Sequence, residues 1–132
     1  MGERFLLQAE RDIEFADALV VPRGYYLAAN LAHQATEKAL KGACWRVRGE
    51  QPPWKHSLRQ LAELLVDDPK QLPESLVAAI AVLNPILEQT RYPSGNVADP
   101  IPSDLVDETS ARDALAAANE VILWTRQWFQ PR

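Results

Sequence analysis

Cysteine is almost missing from this chain: Cys44 stands alone among 132 residues. One thiol can neither close an internal disulfide nor assemble a thiolate metal site, so a reducing cytoplasm is the expected home. Glycine is scarce as well, with five residues, and none of them builds a Gly-rich phosphate loop. No stretch approaches the roughly 18 apolar residues needed to span a bilayer, so no membrane association is expected. The segment from Met1 to Arg11 carries charges throughout and lacks the uninterrupted apolar run of a signal peptide. An excess of positive charge is also missing. The net charge is −4, whereas proteins that wrap duplex nucleic acid are usually strongly basic, so duplex DNA is not an expected partner. The two histidines, His33 and His56, lie 23 residues apart. No Asp, Glu or His group shows ligand spacing, and neither a metal nor a cofactor is expected.

What is present is apolar periodicity without strand-like alternation. Hydrophobic residues make up 47%, enough for a globular core. Five helical segments are predicted within one domain spanning 1–132. The first runs from about Glu3 to Val20, with Leu6, Ala9, Ile13, Ala16 and Val20 on one face. Pro22-Arg23-Gly24 ends it. The second runs from Tyr25 to Arg48, and its small apolar residues (Ala28, Ala32, Ala35, Ala39 and Ala43) mark it as the central helix. The third opens at Ser57, with Gln60 completing a capping box. The fourth starts at Pro73 and is expected to kink at Pro85. Residues 91–107 read as a long loop. The fifth starts at Thr109 or Ser110 as caps and carries Trp124 and Trp128 four apart. The expected fold is all-α: an antiparallel up-and-down bundle of four long helices plus one short helix.

The central helix carries a second, polar stripe. At 100° per residue, Asn30, His33, Gln34, Glu37, Lys38 and Lys41 share an arc of roughly 140°. Such a face is either solvated, with Glu37 and Lys41 an ordinary i,i+4 pair, or the lining of a polar groove. A basic island follows: Lys41, Arg46, Arg48, Lys55 and Arg59 against Glu50 alone, five cations less one anion or +4. His56 sits there, just before the Ser57 cap, where helical N–H groups favour phosphate. The plainer reading is a set of cations complementing a helix C-terminus. Arg91-Tyr92-Pro93 closes the fourth helix. Arginine grips phosphate or carboxylate bidentately, or it ties down the loop. Cys44 is a nucleophile on paper but reads as a core residue.

Taken in order, the run His33-Gln34-Ala35-Thr36-Glu37-Lys38-Ala39-Leu40-Lys41, then Lys55-His56-Ser57-Leu58, then Arg91-Tyr92-Pro93, then an Ala-rich last helix ending in Trp124 is similar to the HEPN family. The resemblance covers most of the chain. It implies a helical bundle that forms homodimers and is often paired with a small nucleotidyltransferase, as in toxin–antitoxin systems. Several such proteins are metal-independent endoribonucleases, in which an Arg and a His four to six residues apart act on the RNA 2′-hydroxyl. No arginine lies at that spacing before either histidine here: Arg48 and His56 have seven residues between them, including Pro52 and Pro53. The resemblance therefore implies a non-catalytic module binding a nucleotide or RNA phosphate through Glu37, Lys38, Lys41, His56, Arg91 and Tyr92. The alternative is a ribonuclease of non-standard spacing using His56 with Arg48 or Arg91.

Overall fold

A computed structural model describes residues 1–52 and 57–130. Its elements are α1 (Gly2–Ala18), α2 (Tyr25–Arg48), α3 (Leu58–Glu63), α4 (Glu74–Leu83), α5 (Ile86–Arg91), α6 (Pro102–Leu105) and α7 (Glu108–Thr125), with 3-10 turns at Pro69–Gln71 and Arg126–Trp128. No strand occurs among the described residues. The architecture is the expected helical bundle, with α1, α2, α4 and α7 as its long members.

Alanine explains why α2 is the centre. Ala28, Ala29, Ala32, Ala35, Ala39 and Ala43 are fully buried, and their short side chains let α1 and α7 pack closely on α2. The closest approach is between glycines. A Cβ on Gly42 would meet the Gly2 carbonyl oxygen at 2.8 Å and the Phe5 Cβ at 2.9 Å, both inside van der Waals contact. α4 lies on α7, and Leu40, Leu61, Leu76, Leu83 and Val121 fill the space between the helices. Trp124 and Trp128 meet edge to face with centroids 4.6 Å apart and pack against the core.

The local signals act where their chemistry places them. Gly49 ends α2 at φ 74°, the left-handed conformation that glycine adopts without a Cβ penalty. The Ser57 box is formed: Ser57 Oγ accepts from the Gln60 N–H at 3.1 Å, and Gln60 Oε1 accepts from the Ser57 N–H at 2.9 Å. Three expectations need correction. The cap of α7 is Asp107, whose Oδ1 accepts the Ser110 N–H at 2.8 Å; Ser110 supplies the orphan donor, not the acceptor. That donor, from its backbone N–H, holds the Asp107 carboxyl below the usual carboxylate range. Pro85 also does more than kink a helix. It has no N–H to continue the ladder, so α4 stops at Leu83 and α5 restarts at Ile86 as a separate helix. Within the expected loop, residues 102–105 wind into the short α6, with Pro102 in its first turn.

Candidate functional site

The polar arc of α2 is divided among its neighbours. α1 takes the edge bearing Lys38: Lys38 Nζ donates to Asp12 Oδ2 at 2.5 Å, and Gln8 Nε2 donates to the other oxygen of the same carboxylate at 2.8 Å. Asp12 is a buried anion, its side chain 9% exposed, and burying it requires a partner. Lys38 thus serves the α1–α2 seam. His33 is buried in turn, and its Nδ1 has no hydrogen-bond partner among the described residues. Desolvation pushes its pKa below the ordinary histidine value, against the pull of nearby Glu37. Asn30, Gln34 and Glu37 remain open, and α5 stands across from them.

Together they form a cleft of about 730 Å³, with Asn30, Gln34 and Glu37 on the α2 side and Leu87, Thr90, Arg91 and Tyr92 on the α5 side. Thr90 joins the two sides. Its hydroxyl donates to the Ile86 carbonyl at 2.6 Å and accepts from Asn30 Nδ2 at 2.7 Å. Asn30 Oδ1 in turn accepts from Gln34 Nε2. Glu37 is neutralised along its own helix, its Oε1 accepting from Lys41 Nζ at 2.6 Å. Arg91 lies over the Tyr92 ring at 5.6 Å from the centroid, a cation–π arrangement. Tyr92 is 74% exposed. Among the described residues no carboxylate forms an ion pair with Arg91. A smaller hollow of about 300 Å³ adjoins, sharing Thr90 and Arg91 and walled by Tyr26, Pro93, Ile101 and Pro102.

The structure therefore brings Glu37, Arg91 and Tyr92 to one cleft, with Lys41 behind Glu37, and leaves Lys38 on another side of α2. The basic island is dispersed. Arg46 pairs with Glu3 at 2.9 Å and Arg59 with Glu63 at 3.1 Å. Arg48 is exposed at the end of α2 and has no ion pair among the described residues. Lys55 and His56 lie outside the described residues. Cys44 is buried, its Sγ 3.4 Å from the Leu61 carbonyl oxygen. Burial pushes its pKa up to about 11, with Arg48 pulling the other way, so it stays a thiol at neutral pH. Sequence reasoning missed Thr90 and Leu87 as site residues. Neither carries a site signal until Pro85 is known to separate α5 and set it against α2. Among the described residues no three His, Cys, Asp or Glu side chains gather as a metal site, and no helix is long and apolar enough to cross a membrane.

An Ala-rich helical bundle with a polar interhelical cleft, walled by an arginine–tyrosine pair at a helix exit, is the class that fold and site define. The chain belongs to the HEPN family: the HEPN domain model matches residues 3–128. Among solved structures it is similar to TT1696 from Thermus thermophilus, with 30% identity over 96% of this chain and 97% of that one and a TM-score of 0.82. It is also similar to ST0689, an archaeal HEPN homologue, with 25% identity, 98% coverage of both chains and a TM-score of 0.76. No curated protein matches the chain.

Proposed function

We propose that this chain is a non-catalytic HEPN module that binds a nucleotide or an RNA phosphate in the α2–α5 cleft. It acts in the cytoplasm as a homodimer, paired with a small nucleotidyltransferase in a toxin–antitoxin-like system. The observation that carries the binding reading is Arg91: a guanidinium at the wall of a roomy cleft, stacked on an exposed tyrosine and tied to no carboxylate among the described residues. A structural arginine would be expected to spend its fork on a protein anion. This one presents it beside a 730 Å³ space, the arrangement that suits a bidentate phosphate contact. Tyr92 offers a flat face for a base, and Asn30 and Gln34 offer amide groups to its edge.

The pairing with a nucleotidyltransferase rests on the family resemblance alone. The non-catalytic reading is supported by the absence of an arginine four to six residues before either histidine and by the unreactive state of Cys44.

Isothermal titration with ATP, GTP and short RNA tests the binding. Binding should be measurable, and Arg91→Ala should weaken it on the order of 10- to 100-fold, the loss of about 1.5–3 kcal/mol expected for a hydrogen bond to a charged group. No binding at millimolar ligand would remove the reading. RNA cleavage by the wild type that vanishes in His56→Ala would replace it with the ribonuclease.

A further inference from the structure

Resting on the nucleotide reading of the same cleft, we infer that its floor selects guanine, with Gln34 and Glu37 reading the base edge while Arg91 holds the phosphate.

The argument starts from one hydrogen atom. The Thr90 hydroxyl has a single proton, and the Ile86 carbonyl, which can only accept, takes it at 2.6 Å. Toward Asn30 the hydroxyl can therefore only accept, which fixes the Asn30 NH₂ group on Thr90 at 2.7 Å. The Asn30 carbonyl oxygen then points away and accepts one N–H of Gln34. By this relay the side-chain amide of Gln34 is not free to flip. Its Oε1 and its one remaining N–H have no hydrogen-bond partner among the described residues, and the residue lines the cleft. One turn further along α2, Glu37 has Oε1 occupied by Lys41 at 2.6 Å, leaving Oε2 as an acceptor on the same face. Residues three apart on a helix are neighbours. The floor thus reads, side by side, as donor, acceptor, acceptor.

The Watson–Crick edge of guanine is the complement: O6 accepts, N1–H donates and the N2 amino group donates. Adenine in the same register sets its N6–H against the Gln34 N–H and its N1 against the Gln34 Oε1, and turns a bare C2–H toward the Glu37 carboxylate. A polar group left without its partner by the wrong ligand is a stronger discriminator than any missing apolar contact. The decisive contact is Glu37 with the N2 amine. Inosine, which keeps O6 and N1–H and lacks that amine, isolates it.

The test is titration of the full-length chain with GMP, IMP and AMP. GMP should bind at least about tenfold more tightly than IMP or AMP, the discrimination expected from one unpaired polar group. In Glu37→Ala the GMP and IMP affinities should fall within about threefold of each other, whereas in Gln34→Leu, an exposed position whose change leaves the core alone, GMP should keep its lead over IMP and IMP should come within about threefold of AMP. Arg91→Ala should weaken all three together and keep the GMP preference. Equal affinity of the wild type for the three nucleotides, with Arg91→Ala weakening them all, overturns the guanine inference and leaves the phosphate reading standing. RNA binding without mononucleotide binding overturns it as well. No binding of any of these ligands removes both.

Discussion

Two buried polar side chains on α2 have opposite accounts. Cys44 is satisfied: its thiol lies against the Leu61 carbonyl oxygen, and burial keeps it protonated, its pKa about 11. It should resist iodoacetamide at neutral pH in the folded protein and react at once in denaturant; rapid native labelling, followed by mass, would show that α3 does not cover it as described. His33 is not satisfied, since its Nδ1 has no partner among the described residues, and desolvation lowers its pKa. The sign of the linkage follows. As pH falls through the ordinary histidine value of about 6.5, the unfolded chain takes up a proton that the folded chain refuses. The stability held by neutral His33 is complete above that pH and declines below it, until the folded group itself titrates. The slope for one proton is at most about 1.4 kcal/mol per pH unit. Between about pH 7.5 and 5.5 the wild type should lose more melting temperature than His33→Leu, in which the orphaned atom is gone. Equal losses in the two proteins would place the acid sensitivity elsewhere.

Among the helices, the tightest joint is the glycine crossing of α1 and α2. Gly42→Ala drives a methyl to 2.8 Å from the Gly2 carbonyl, which must lever the start of α1 away. The expected cost is about 1–3 kcal/mol, the range for overpacking, despite alanine being the better helix former. Chemical denaturation measures it, and a gain in stability would mean that the seam is looser than described. This crossing is illegible in the sequence, because Gly42 reads as one more small residue in an Ala-rich stripe. Other features are legible because they are local. Pro22-Arg23-Gly24 and Gly49 bound α2, and Ser57 with Gln60 start α3. Short helices such as α5 and α6 lack the two turns that periodicity requires. Three good capping types, Asp107, Thr109 and Ser110, crowd the start of α7, so residue type alone does not single out Asp107. The candidate site is legible in half. Spacing gives the arc on α2, and the residue types give Arg91-Tyr92. Which members of the arc stay open depends on α1 and α5, whose placement is tertiary.

At the scale of the whole molecule, half of the 14 lysines and arginines meet a carboxylate: Arg11, Lys38, Lys41, Arg46, Arg59, Arg112 and Arg126. Among the residues that line the cleft, Arg91 alone is a cation. Binding in the cleft should therefore depend weakly on salt, with a slope near that of a single phosphate contact. A steep slope, measured by titration at several ionic strengths, would point to a broader basic surface. Around the same cleft Leu27, Tyr92 and Ile101 are exposed apolar side chains, the kind of rim a homodimer would cover. Light scattering should then give twice the 14.8 kDa of one chain.

The break at Pro85 separates the helix that packs on α7 from the one that carries Arg91 to the cleft. α4 answers to α7 and the core, while the six residues of α5 answer to the cleft. A substitution in α5 changes the wall that carries the guanidinium while the packing of α4 on α7 is left as it is, so the cleft can vary within an inherited bundle.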